Sequence, residues 1–78
     1  MDLGSFVKEF EASLHGVPPG SIEPSTKFQD LGEWESVALL NVIGLIDIEF
    51  NTQISANEIM KCQTVEDVYT LARQQANT

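Results

Sequence analysis

The chain has 78 residues, with 12 Asp and Glu against 4 Lys and Arg, for a formal charge of −8. That length is expected to hold one domain, residues 1–78, and that charge argues against binding nucleic acid or an anionic membrane surface, both of which repel acids. The one cysteine, Cys62, cannot form an internal disulfide, so an apolar core must stabilise the fold unaided; a free thiol fits a reducing cytoplasm.

The N-terminus has no basic region followed by an apolar run, so no secretory signal is expected. Leu3, Phe6, Val7, Phe10 and Leu14 recur at helical spacing and predict a first helix from about Leu3 to His15. Gly16 and the run VPPGS, residues 17–21, stop it. The stretch from Pro18 to Gly32 reads as a long loop, and loops of that length are functional or pinned by their own side chains. Ile22, Phe28 and Leu31 are the expected pins.

The second helix is expected from Ser36 to Phe50. Glu33 and Glu35 lie where the positive end of the helix dipole favours acids, and Asn51-Thr52 ends the run. In SANEIMKC, residues 55–62, Ser55 and Glu58 form a capping box that opens a short helix. In TVEDVYTLARQQA, residues 64–76, Thr64 caps a last helix with Asp67 at its third position and Val65, Val68, Tyr69 and Ala72 on one stripe. No segment alternates with period two. The expected fold is all-α: a small bundle of three main helices plus one short helix, with a long first loop. The apolar stretch Val37 to Ile46 is about half a membrane span in length, so none is expected.

The second helix has two apolar arcs. At about 100° per residue, Leu39, Val42, Ile43, Ile46 and Phe50 form a core stripe. Val37, Leu40 and Ile48 fall on another arc with Asn41, Gly44 and Asp47. Either this helix is buried on two sides, or the second arc is an exposed patch for a partner. Gly44 invites close approach of a neighbouring helix or a docked protein. Between Lys27 and Lys61 there is no base, while Asp30, Glu33, Glu35, Asp47, Glu49 and Glu58 all fall there, so a basic partner would be drawn to this half.

The pattern Phe28-x-x-Leu31-Gly32, then Glu35-Ser36-Val37, Glu49-Phe50, Ile54-Ser55 and Thr64-Val65-Glu66-Asp67 resembles the acyl carrier protein family over essentially the whole chain. The resemblance implies that Ser36 receives 4'-phosphopantetheine from coenzyme A, whose terminal thiol then holds acyl or aminoacyl groups as thioesters. It implies a monomeric carrier without catalysis of its own. The implied partners are a phosphopantetheinyl transferase, a loading ligase or acyltransferase, and a downstream synthase or transferase. The docking face would comprise Glu33, Trp34, Glu35, Val37, Leu40, Asn41, Gly44, Asp47 and Ile48. Glu35 stands where the family usually has Asp, and Val37 where it usually has Leu. Both keep charge or apolarity, and so bear on rate more than identity. Carriers of primary fatty acid synthesis typically show an acid at the position of Asn41 and a bulky apolar residue at that of Gly44. Trp34 is common in stand-alone carriers of specialised pathways. A specialised biosynthetic pathway is therefore the expected setting, with primary fatty acid synthesis the alternative.

Two other readings come from the residues alone. A serine before an apolar helix is ordinarily an N-cap, and Ser5, Ser13, Ser21, Ser25 and Ser55 lack the context of Ser36. Asp47 to Glu58 also places oxygen side chains at the spacing of a calcium-binding EF-hand loop, but with Thr52 where the turn wants glycine. A weak divalent-cation site at Asp47 and Glu49 fits these acids better than a true EF-hand. Independent catalysis lacks a constellation: His15 is the one histidine, and Cys62 reads as a half-buried thiol.

Overall fold

The computed structural model describes residues 1–32 and 34–76. Four α-helices follow in order: α1 Leu3–Ala12, α2 Ser36–Phe50, α3 Ala56–Met60 and α4 Val65–Ala76, with a 3-10 turn at Phe28–Asp30. The all-α bundle with its long first loop is the architecture expected. Among the described residues the one trace of β pairing is an isolated bridge between Lys27 and Thr64.

Local chemistry sets each helix end. Asp2 caps α1, its carboxylate accepting the Ser5 N–H at 2.8 Å. The helix stops at Ala12, three residues before the expected His15, because the Ser13 N–H is shared between the carbonyls of Glu9 and Phe10 and the Ser13 hydroxyl also bonds Glu9. That tightened turn passes the chain to Gly16, which sits at φ 82, a conformation glycine adopts without strain. His15 is exposed in this turn. Asn51 ends α2 in the left-handed conformation, at φ 52. The two expected caps are present: Ser55 and Glu58 bond reciprocally at 3.2 Å, and the Thr64 hydroxyl accepts the Asp67 N–H while the Asp67 carboxylate accepts the Thr64 N–H, both at 3.1 Å.

The core collects one stripe from each helix. Phe6, Val7 and Phe10 come from α1; Ala38, Val42 and Ile46 from α2; Ile59 from α3; Val65, Val68, Tyr69 and Ala72 from α4. Leu39, Ile43 and Phe50, expected on the core side of α2, are partly buried against this cluster.

The first loop is pinned where expected, with Ile22 and Phe28 buried and Leu31 half-buried. It is also tied to the start of α4 by Val65 N–H to Thr26 O and Glu66 N–H to Pro24 O. A further clamp was not visible in the sequence. The Glu11 carboxylate accepts the backbone N–H groups of Gly20 and Ile22, each at 3.0 Å. The Gly20 bond, with that of Ile22, holds the Glu11 carboxyl below its ordinary range. A depressed folded-state pKa contributes stability that is present above the unfolded value and lost as pH falls through the folded one. Glu11→Ala should therefore lower the melting temperature at neutral pH, and the gap to the parent should narrow as pH falls below about 4.5. A gap that stays constant through the acid range, followed by circular dichroism, would contradict this.

Candidate functional site

The segment leading into α2 is held at several points. Leu31 N–H bonds Phe28 O, closing the 3-10 turn, and Trp34 N–H bonds Leu31 O, both at 3.1 Å. The Trp34 indole then lies flat against Phe10, with centroids 5.9 Å apart and planes 7° apart, and edge-on to Phe28 at 4.7 Å. Glu35 is extended, at φ −148 and ψ −177, and occupies the N-cap position of α2 without a side-chain cap bond.

Ser36 is thus the first residue of α2 proper and not its cap, so the ordinary explanation for a serine before an apolar helix does not apply here. Its side chain is exposed, and its hydroxyl bonds no described residue. The first-turn N–H groups of a helix lack intrahelical acceptors and carry the positive end of the dipole, equivalent to roughly half a charge. A phosphodiester formed on this hydroxyl would meet favourable potential and would break no existing bond.

The two arcs of α2 resolve clearly. One is the core stripe; the other is bare. Val37, Leu40 and Ile48 are 49 %, 66 % and 81 % exposed, so the alternative of a helix buried on two sides does not hold. Val37, Asn41, Gly44 and Ile48 follow one another at three- and four-residue steps along this outer stripe, with Asp47 exposed beside them. Of the remaining residues expected on a docking face, Glu35 is exposed at the head of the stripe, Trp34 is half-buried with its ring in the core, and Glu33 lies outside the described residues.

Two positions carry more than the sequence indicated. Asn41 Nδ2–H donates to the Ser13 carbonyl at 3.2 Å and fastens α2 to the end of α1. At Gly44 the expected close approach of a neighbouring helix is absent: a Cβ there would meet nothing within 4 Å. The glycine therefore leaves a shallow gap in the exposed stripe, not a tight helix crossing.

The residues from Asp47 to Glu58 do not run as one continuous loop. Asp47, Ile48, Glu49 and Phe50 are the last turn of α2, and the Glu58 carboxylate accepts from Ser55 and from Gln75. No group of three potential metal-binding side chains occurs among the described residues. Cys62 is half-buried; burial, with Asp67 and Glu58 nearby, pushes its thiol pKa up, and its Sγ–H donates to Glu58 O at 3.5 Å. A thiol shifted in this direction is less readily ionised than a free one. No helix of the described residues is long and apolar enough to cross a membrane.

The family model for a phosphopantetheine attachment site matches residues 6–72, from inside α1 to inside α4. A small helical bundle with that match is a carrier domain, one that binds a 4'-phosphopantetheine prosthetic group and works with partner enzymes. More particularly, the chain belongs to the acyl carrier protein family. Neither a curated protein nor a solved structure matches it significantly.

Proposed function

We propose that Ser36 is the single attachment point of the 4'-phosphopantetheine arm, and that this carrier serves a specialised biosynthetic pathway. The observation that carries the first part is the state of the Ser36 hydroxyl: exposed, bonded to none of the described residues, and at the N-terminus of a 15-residue helix beside an uncovered apolar stripe. Ser36 gives its hydroxyl proton to the transferase, and its oxygen becomes the ester oxygen of the phosphodiester as adenosine 3',5'-bisphosphate leaves coenzyme A. The arm supplies a terminal thiol on which acyl or aminoacyl groups are held as thioesters. The helix start stabilises the phosphate charge, and the remaining residues present the site.

The outer stripe of α2 is the docking face. Val37, Leu40 and Ile48 supply apolar contact, Gly44 a gap for a partner side chain, and Glu35 and Asp47 the charge that draws a basic enzyme. The absence of Lys and Arg from residue 28 to residue 60 leaves that attraction unopposed. A cytoplasmic monomer fits the free cysteine and the high net charge. The partners are a phosphopantetheinyl transferase, a dedicated adenylating ligase or acyltransferase, and a downstream synthase or transferase.

The specialised setting rests on Asn41 and Gly44. An acid at the first position and a bulky apolar residue at the second are what primary fatty acid synthesis carriers typically present. Losing a charge pair and an apolar anchor costs about 1 kcal/mol or more each at an interface, on the order of tenfold to a hundredfold together. Asn41 also donates to the Ser13 carbonyl, a bond a carboxylate cannot make, so Gly44 is the cleaner position to alter.

Incubation with coenzyme A, Mg2+ and a broad-specificity transferase should raise the intact mass by one phosphopantetheine. Ser36→Ala should remain folded and gain nothing; modification of that variant, or of no form by several transferases, overturns the attachment site. In competition kinetics with a fatty acid synthesis ketosynthase, the parent should be a poor substrate and Gly44→Met a better one. A parent that already equals a fatty acid synthesis carrier would assign it to the primary pathway instead.

A further inference from the structure

Trp34 lies two residues before Ser36, and its ring is the nearest fixed point on the chain upstream of that hydroxyl. One face stacks on Phe10, and Phe28 meets it edge-on at 4.7 Å. Both partners are fully buried and belong to other elements, Phe10 to α1 and Phe28 to the 3-10 turn. The Trp34 N–H is also held by Leu31 O. Backbone and ring are therefore both fixed at this residue. From there Glu35 runs extended; its side chain makes no cap bond, and its carbonyl accepts the Leu39 N–H at 3.0 Å, the first bond of α2. Two residues span at most about 7 Å, so the held indole limits where the chain can lie as it reaches Ser36.

We propose that Trp34 is a positioning residue for the phosphopantetheinyl transfer: its stack on Phe10 and Phe28 presents the Ser36 oxygen to the transferase in a reactive geometry. This rests on the reading of Ser36 as the attachment site. It assigns Trp34 a different part from the docking stripe. The exposed side chains of α2 decide how well the enzyme binds, and the half-buried ring decides where the nucleophile sits once it has bound. An angstrom-scale misplacement of a reacting atom costs on the order of a hundredfold in rate, whereas docking through Val37 and Leu40 is unaffected by it.

The test is steady-state transfer of phosphopantetheine from coenzyme A to the full chain, with the carrier as the varied substrate. It is run at a temperature where circular dichroism shows each variant folded. Trp34→Ala should lower kcat by roughly tenfold to a hundredfold with KM little changed. Trp34→Leu keeps apolar volume without a flat face; it should fall between, and it serves if the alanine variant does not fold. Trp34→Phe should restore most of the rate. A rise in KM at constant kcat would make Trp34 a docking contact, and unchanged kinetics in the folded variants would make it only a stabilising residue; either overturns the proposal. Parallel mass measurement on Ser36→Ala separates the two readings. Label on that variant removes Ser36 as the site, whereas label confined to Ser36 with a Trp34-independent kcat removes only the role of Trp34.

Discussion

All six aromatic side chains of the chain join in one unbroken run of ring contacts. Trp34 meets Phe28 and Phe10, Phe10 meets Phe6, and Phe6 meets Phe50 and Tyr69. This run connects the segment before α2, the 3-10 turn, α1, the end of α2 and α4. Such pairs are worth about 0.5–1.5 kcal/mol each beyond the area they bury, in domains whose total stability is about 5–15 kcal/mol. With no disulfide available, this is the constraint on which the placement of the other elements depends. It holds both ends of α2, through Trp34 two residues before its start and Phe50 as its last residue.

A helix clamped at both ends by one side has its opposite side left over. Val42 and Ile46 are fully buried, while Leu40 and Ile48, two residues from each, stand in solvent. Ile48 is 81 % exposed, and three large apolar side chains on one bare stripe are the kind of surface that the proposed docking role would cover. On the proposed reading, the acids around it would favour basic partners. The gap at Gly44 and the fastening of Asn41 to α1 give the stripe a shape of its own.

Most of the scaffold was legible because its signals are local. Helical spacing in α1 and α4, the prolines after α1, and the Ser55–Glu58 and Thr64–Asp67 pairs act over three or four residues, and each element appears where those pairs predict. What could not be read depends on distant chain. Glu11 clamps Gly20 and Ile22 across nine and eleven residues, and Asn41 reaches Ser13 across twenty-eight. The end of α1 at Ala12 turns on how one N–H is shared, which spacing does not encode. A helical wheel gives the angle of the second arc of α2 but not its neighbours, so only packing distinguishes a buried arc from an exposed one. Trp34 shows the same limit: its place beside Ser36 suggested a surface contact, and its ring lies half-buried against Phe10 and Phe28.

If enzymes meet this carrier at the bare stripe of α2, as proposed, binding will leave its footprint there. The most direct measurement is amide chemical-shift mapping by NMR, with the protein titrated by a phosphopantetheinyl transferase. Shifts or broadening should concentrate at Ser36, Val37, Leu40, Asn41, Gly44, Asp47 and Ile48, with α4 unaffected. Perturbations centred on α1 or α4, with the amides of the α2 stripe unmoved, would contradict it.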